Sequence, residues 1–241
     1  MGKNTKSLIE IHTAVLLFGL SGLFGRHLSL PPVIITFGRV FFASLFAAAL
    51  FKLRGTEIRL EKRSDTIAVT AAGIILAVHW TSFFTAIQVS TVAIGVLTFS
   101  TYPLFVTFAE PLMFKERLRF SDAVCAAAML FGVYIIVPEF SIKNSTAEGI
   151  AWGMLSALTY AALSLANRKF AAKYRGSTVA FYEQATAAII LFPCFLTIKP
   201  QLTYSDTALL ALLGIVFTAC AHAMFIEGMK NIRAQTAGMI S

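Results

Sequence analysis

Long apolar stretches separated by short polar connections run through the whole chain and constrain its fold more than any other feature. Eight stretches are long enough to cross a bilayer, and a ninth begins near residue 235. The eight cover residues 10–28, 33–53, 66–87, 91–113, 121–138, 149–170, 178–198 and 206–228. A helix of about 20 mostly apolar residues spans the hydrocarbon core of a membrane. The sequence therefore predicts an all-α polytopic membrane protein embedded in a lipid bilayer.

The basic residues lie on alternate connections between these stretches. Sixteen of the 20 Lys and Arg residues fall in the N-terminal tail or in every second connection, and the remaining connections hold only Arg26, Lys143 and Lys199. Cytoplasmic loops of membrane proteins are enriched in Lys and Arg. The pattern predicts insertion in the cell membrane with the N-terminus in the cytoplasm. It also explains the formal net charge of +8 without a nucleic-acid partner.

The chain resembles itself at an offset of 143 residues, which places His79 on His222. Two copies of a five-helix unit, residues 1–140 and 141–241, explain this match. Because each unit has an odd number of helices, the second copy enters the membrane from the opposite face. Such an inverted five-plus-five helix repeat is a recurrent architecture of secondary transporters. The alternative is that membrane helices resemble one another through composition alone.

Several segments resemble the EamA-type drug/metabolite transporter superfamily. Residues 101–105 (TYPLF), 115–118 (KERL) and 132–136 (GVYII) resemble the end of a repeat in that family, and residues 37–39 (FGR) resemble its Arg-bearing second span. The resemblance covers essentially the whole chain. It implies a ten-helix, five-plus-five transporter for small metabolites or amino acids, often an exporter. Our leading hypothesis is that such a transporter works by alternating access.

The second copy is incomplete in this sequence. The chain stops at Ser241, just inside the ninth stretch, whereas the first copy continues for roughly 40 residues beyond the equivalent point. We therefore expect a fragment or a truncated gene product. The corresponding alternative to a working transporter is an inactive remnant, or one that needs a partner such as a second copy in a homodimer.

Ionisable groups inside apolar spans are costly and are the first functional candidates. Arg39 either extends its side chain to the membrane interface or contacts an anionic substrate group or a gate partner. Glu183 lies roughly 15 Å away in depth, so a direct pair with Arg39 is not expected. Glu183 is also a hypothetical carrier of a coupling proton. We expect Glu110, near the cytoplasmic end of its span, to reach interfacial water.

The remaining candidates are imidazole and aromatic side chains. His79 and His222 are either packing residues or groups that hydrogen-bond or exchange protons with a substrate, and His79 is a second candidate for proton coupling. Trp80, Tyr102 and Tyr160 either pack or line an aromatic cavity suited to amphipathic solutes and cations. The predicted substrate-binding residues are thus His79, Trp80, Tyr102, Tyr160 and His222, and the predicted gating or charged residues are Arg39 and Glu183.

The sequence shows no convergent catalytic group and no motif for a cofactor. The carboxylates inside spans are scattered in depth, and neither a Ser placed with a His, His–Glu metal spacing nor a Gly-rich phosphate loop is found. A membrane-embedded enzyme is therefore the weakest alternative, and no cofactor or metal ion is predicted. Pro103, Pro111 and Pro193 predict interruptions inside their spans.

Overall fold

A computed structural model describes residues 2–26, 28–118, 120–136 and 144–241, and within these ranges the chain forms helices and no strands. In chain order the elements are α1 (Lys3–Arg26), α2 (Pro32–Arg54), α3 (Arg63–Val89), α4 (Val92–Phe99), α5 (Tyr102–Phe114), α6 (Phe120–Ile136), α7 (Asn144–Ala171), α8 (Gly176–Ile198), α9 (Tyr204–Gly214), a π segment (Ile215–Cys220), α10 (Ala221–Gly228) and α11 (Ala234–Ile240).

Six helical stretches in the described part of the chain are long and apolar enough to cross a membrane. They are Pro32–Arg54, Arg63–Val89, Val92–Phe114, Ser145–Ala171, Gly176–Ile198 and Tyr204–Gly228. These correspond to six of the eight predicted spans. The other two correspond to α1 and α6, each of which ends beside residues outside the described ranges. The prediction of an all-α polytopic membrane protein is confirmed.

The connections rich in Lys and Arg lie together at one end of the helix bundle, which we name the basic end. It comprises the start of α1 and residues 55–62, 115–118, 172–175 and 229–233, which contacts between these segments bring together. The Lys173 ammonium group, for example, lies 3.3 Å from the Asp65 carboxylate at the start of α3. At the opposite end, Gln88 donates a 2.8 Å hydrogen bond to the Leu30 carbonyl oxygen. The helices therefore alternate in direction as predicted. The basic end is the end that the sequence predicts to be cytoplasmic.

Two glycines bring helices from the two halves of the chain into close contact. A Cβ atom at Gly73 on α3 would lie 2.7 Å from the Glu183 carbonyl oxygen on α8. A Cβ atom at Gly214 on α9 would lie 2.7 Å from the Arg39 carbonyl oxygen on α2. Small residues allow transmembrane backbones to approach this closely. Both contacts involve the backbone of a predicted charged residue.

The fourth predicted span is interrupted between α4 and α5. Pro103 lacks an N–H group and cannot continue the hydrogen-bond ladder of α4. The hydroxyl groups of Ser100 and Thr101 donate to the carbonyl oxygens of Val96 and Thr98 over 2.8 and 2.7 Å, respectively. The predicted interruption at Pro103 is confirmed.

A second irregularity lies in the eighth predicted span, where no proline occurs. Residues Ile215–Cys220 form the π segment, in which Thr218 Oγ1 donates to the Leu213 carbonyl oxygen five residues earlier, over 2.7 Å. By contrast, α5 and α8 continue as helices through Pro111 and Pro193. The prolines therefore predicted the break at Pro103 but not the π segment, and the interruptions predicted at Pro111 and Pro193 do not end their helices.

Candidate functional site

A cavity of about 250 Å³ between α1, α2, α3, α4, α7 and α10 is the best candidate site. It brings together five of the predicted residues, namely Arg39, His79, Trp80, Tyr160 and His222. Both predicted halves of the chain contribute to its wall. A larger depression of about 580 Å³ at the α3–α4 connection is lined by no charged side chain, so it is a weaker candidate.

Arg39 reaches this cavity from α2 and is only 2% exposed, so it does not extend to the interface. Its Nε donates a 3.1 Å hydrogen bond to Thr218 Oγ1 in the π segment. Its guanidinium carbon lies 3.9 Å from the centre of the Trp80 ring, a cation–π contact that orients the planar group. None of the ion pairs in the described part of the chain includes Arg39. The guanidinium therefore keeps hydrogen-bond donors free for an anion that enters the cavity.

Glu183 and His222 form a pair, although the sequence predicted a gating or charged role for Glu183 and a substrate-binding role for His222. His222 Nε2 lies 2.7 Å from Glu183 Oε2, and the two side chains are 1% and 0% exposed. His222 lines the cavity, whereas Glu183 lies behind it on α8. The pair is deeply buried, and its position beside the cavity lets a change of charge on it influence the contents of the cavity.

His79 is held by a residue that sequence analysis did not single out. Its Nδ1 lies 3.0 Å from the Ser156 carbonyl oxygen and 2.9 Å from the Ser156 hydroxyl oxygen on α7. A carbonyl oxygen can only accept a hydrogen bond, so Nδ1 donates and Nε2 of the neutral ring is left as an acceptor. The structure therefore does pair a Ser with a His, but this contact orients an imidazole in the cavity wall.

The aromatic residues form a cluster around Tyr160. The Tyr160 ring lies 4.7 Å from the His79 ring and 4.7 Å from the Tyr102 ring, in an edge-to-face arrangement with Tyr102. Phe99 stacks on Tyr102 at 5.1 Å and lines the cavity beside Tyr160. Tyr102 lies behind the lining, is 1% exposed, and hydrogen-bonds to the Ser241 hydroxyl group. It packs against Tyr160, and its partner Ser241 lines the cavity.

The expectation that Glu110 reaches interfacial water is wrong. Its side chain is 0% exposed because its carboxylate is surrounded by donors from two other helices. Arg168 on α7 donates to Oε1 over 2.7 Å. The backbone N–H groups of Ala234 and Gln235, at the start of α11, donate over 2.7 and 3.1 Å. A carboxylate at the N-terminus of a helix is stabilised by such unpaired N–H groups.

Further ion pairs extend this contact across the basic end. Arg233 lies 3.1 Å from Glu116 and 3.2 Å from Asp122, and Arg168 lies 2.6 Å from Glu116. We name these residues the basic-end network: Glu110, Glu116, Asp122, Arg168 and Arg233. The network joins α5, α6, α7 and the start of α11. The sequence signal for this network was Glu110, an acidic residue inside a span and close to the basic connection at residues 115–118.

The described side chains do not form a metal site. No group of three or more His, Cys, Asp or Glu residues that could hold a metal ion occurs within the described ranges. The cavity instead offers one planar cation, two imidazoles and several aromatic faces. Such a lining has the chemistry that suits a small organic molecule.

Comparisons with known proteins agree with a role in transport. Residues 5–137 and 147–241 match the EamA-like transporter family. An uncharacterized transporter of Bacillus subtilis, YxxF, is 22% identical over 244 residues, which cover 99% of this chain and 78% of the relative. An uncharacterized transporter of Archaeoglobus fulgidus is 27% identical over 229 residues, covering 95% of this chain and 79% of the relative.

Two further similarities concern a relative with a more specific name and a solved structure. The pseudopaline exporter CntI of Pseudomonas aeruginosa is 24% identical over 190 residues, which cover 78% of this chain and 65% of the exporter. A crystal structure shares the fold with a TM-score of 0.76 and 18% identity, over 98% of this chain and 83% of that chain. The chain is therefore a membrane transporter that belongs to the EamA-like transporter family, and it is not an enzyme.

Proposed function

We propose that this transporter exports small metabolites or amino acids that carry a carboxylate group, by alternating access across the cell membrane. Family membership supports a small-molecule substrate and a bilayer environment. The observation that carries the substrate class is the cation in the cavity: Arg39 is buried, oriented by Trp80, and in no ion pair of the described chain.

The energetics of Arg39 favour an anionic partner. A charged side chain inside a membrane costs at least about 2.5–3.5 kcal/mol when it is unpaired. A carboxylate matches the fork of a guanidinium and forms two parallel charge-assisted hydrogen bonds with it. Because Nε is already occupied by Thr218, the terminal nitrogens are the donors left for a substrate. Substrate binding would thus complete a contact that the protein leaves open.

The rest of the cavity suits the organic part of such a solute. Trp80, Phe99 and Tyr160 present aromatic faces that contact hydrocarbon groups and attract an ammonium group. The unprotonated Nε2 of His79 adds a hydrogen-bond acceptor. A zwitterionic amino acid carries a carboxylate for Arg39, hydrocarbon groups for the aromatic faces and an ammonium group that can donate to His79. This match supports the proposed substrate class.

Alternating access is supported by the basic-end network and by the relation between the two halves of the chain. The basic-end network joins α5, α6, α7 and the start of α11, and we propose that it closes the cytoplasmic side, on which the N-terminus lies. An added Cβ atom would lie 2.7 Å from a carbonyl oxygen at both glycines: Gly73 in the first half meets Glu183 in the second, and Gly214 in the second half meets Arg39 in the first. Together with two separate matches to the family, they support inverted units at residues 1–140 and 141–241. The name of the pseudomonad relative supports export.

An efflux assay tests the proposal. Proteoliposomes that contain the full chain are loaded with a mixture of amino acids and small carboxylates, and the released solutes are identified by mass spectrometry. Each released solute is then compared with its amide, which lacks the negative charge. We expect the amide to be transported at least about 10-fold less efficiently, which is the effect of losing a hydrogen bond to a charged group.

Variants assign this selectivity to Arg39. Arg39→Gln should abolish the preference for the carboxylate, and Arg39→Lys should retain part of it, since Lys keeps the charge without the planar fork. Lys199→Gln, which removes an exposed cation from the α8–α9 connection, serves as the matched control. Equal transport of acids and amides would overturn the substrate class. Absence of efflux for every solute would favour the remnant, or the form that depends on a partner such as a homodimer.

A further inference from the structure

We propose that Glu183 and His222 form a buried site that binds one exchangeable proton and couples it to transport. The coupling rests on the proposed transport function, whereas the binding of the proton does not.

The pair leaves buried oxygen atoms without donors. His222 Nε2 and Glu183 Oε2 share one hydrogen bond of 2.7 Å. The other carboxyl oxygen, Glu183 Oε1, is buried and has no hydrogen-bond partner in the described structure. The amide oxygen of Asn167 on α7 is likewise buried without a hydrogen-bond partner in the described structure. A proton on Glu183 Oε1 would convert this unpartnered acceptor into a hydroxyl donor.

The charge of the pair also favours proton exchange. A neutral imidazole that donates to an ionised carboxylate has a net charge of −1, and one additional proton makes the pair neutral. Both side chains are at most 1% exposed, so water cannot hydrate the net charge, and holding it in this position is costly. The two states differ by one proton, and no other bond forms or breaks.

Three titratable side chains line the cavity beside the pair. They are Arg39 on α2, His79 on α3 and Tyr160 on α7, while α1 presents no titratable side chain to the cavity. Arg39 lies against Trp80, whose ring is 6.3 Å from the His222 ring. Arg39 and the pair thus adjoin the same cavity, where a positive charge on Arg39 would favour the ionised pair while the cavity is empty.

This arrangement connects proton binding with substrate binding. A carboxylate bound to Arg39 neutralises the cation that stabilises the ionised pair, so the pair then binds a proton more tightly. By thermodynamic reciprocity, a proton on the pair strengthens carboxylate binding by the same factor. His222 provides the path, because it contacts the cavity on one side and Glu183 on the other.

Infrared difference spectroscopy on the purified full chain in liposomes tests proton binding without any substrate. The measurement follows the C=O stretching band of protonated carboxylic acids between about pH 5 and pH 9, the range in which a perturbed buried Glu titrates. Selective ¹³C labelling of Glu distinguishes these bands from those of Asp. We expect one Glu band that appears at low pH, is lost in Glu183→Gln, and changes its titration midpoint in His222→Gln.

Two variants keep the assignment open to refutation. Glu183→Asp retains a carboxyl group, so it should move the band to the Asp range even if Glu183→Gln does not fold. Glu110→Gln removes a buried carboxylate that is held by cations and should leave the titrating band unchanged. Absence of a titrating Glu band in the unaltered protein, or its persistence in Glu183→Gln, would overturn the proton site, whatever the efflux assay shows about substrates.

Discussion

The Arg168 guanidinium on α7 donates a 2.7 Å hydrogen bond to the Glu110 carboxylate on α5, at the centre of the basic-end network. Glu110 is fully buried, so its charge is stabilised by protein donors alone. The same carboxylate holds the start of α11 through two backbone N–H groups. This residue therefore ties three helices together at the end of the bundle that we propose to be closed.

Replacing Glu110 with Gln should destabilise the protein. Gln keeps one acceptor for the backbone but loses the charge that pairs with Arg168, a loss of about 1.5–3 kcal/mol for a hydrogen bond between charged groups. Thermal unfolding in detergent measures the effect. Glu10→Gln is the control, because Glu10 pairs with an exposed Lys6 at 3.7 Å and should change stability by less than about 1 kcal/mol. Equal effects of the two substitutions would contradict the prediction.

Replacing Gly73 with Ala should push α3 away from α8. The new methyl group would lie 2.6 Å from the Thr186 side chain and 2.7 Å from a backbone oxygen of α8, and overpacking of this kind costs about 1–3 kcal/mol. Gly19→Ala adds the same methyl group where no atom lies within 4 Å and should be neutral or slightly stabilising. The free energies of unfolding of the two variants, measured side by side, check the prediction. A neutral Gly73→Ala would show that the helices are not in close contact.

Trp80 should report on occupancy of the cavity. The chain has two Trp residues, so Trp152→Phe leaves Trp80 as the single emitter, in contact with Arg39. A carboxylate from the efflux assay should change its fluorescence on binding. In this background, Thr218→Val removes the acceptor of Arg39 and should weaken binding about 5-fold, since a hydrogen bond contributes about 1 kcal/mol. Thr218→Ser keeps the hydroxyl group and should bind normally; weakening by Ser as large as that by Val would exclude this role of the hydroxyl group.

Tyr174 should make a contribution to stability that is lost at high pH. Burial raises the pKa of its phenol, and the hydrogen bond it donates to Asp65 over 2.7 Å raises the pKa further. A pKa that is higher in the folded state stabilises the protein fully below the unfolded value of about 10 and loses this effect as pH rises through the folded value. The difference in unfolding temperature between the unaltered protein and Tyr174→Phe should be constant below about pH 9 and shrink above about pH 10. A difference independent of pH would contradict the assignment.

The sequence was most informative where one residue type has one physical consequence. Stretches of apolar residues predicted the spans, Lys and Arg predicted which connections share an end, and Pro103 predicted the break between α4 and α5. Costly side chains inside spans also identified the cation and the imidazoles of the cavity wall, since Arg39, His79 and His222 all line it. Whether these residues bind a substrate remains a prediction.

The sequence was least informative about which polar groups meet. Glu183 and His222 are 39 residues apart, and their contact depends on how α8 packs on α10. Glu110 was expected at the interface because its depth was read from one helix alone, whereas its burial results from α7 and α11. Ser156 gave no signal, because a Ser in an apolar helix usually bonds to its own backbone.

The π segment has a consequence for how the two halves of the chain relate to each other. Gly73 and His79 are separated by six positions along α3, whereas Gly214 and His222 are separated by eight. In an uninterrupted α-helix, two additional residues would turn His222 by about 200° relative to its counterpart, and the wider π turn takes up part of this rotation. Under the proposed duplication, the halves have therefore ceased to be interchangeable. A chimera that replaced residues of the π segment with the matching residues of α3 would have to restore this extra length to keep His222 beside Glu183.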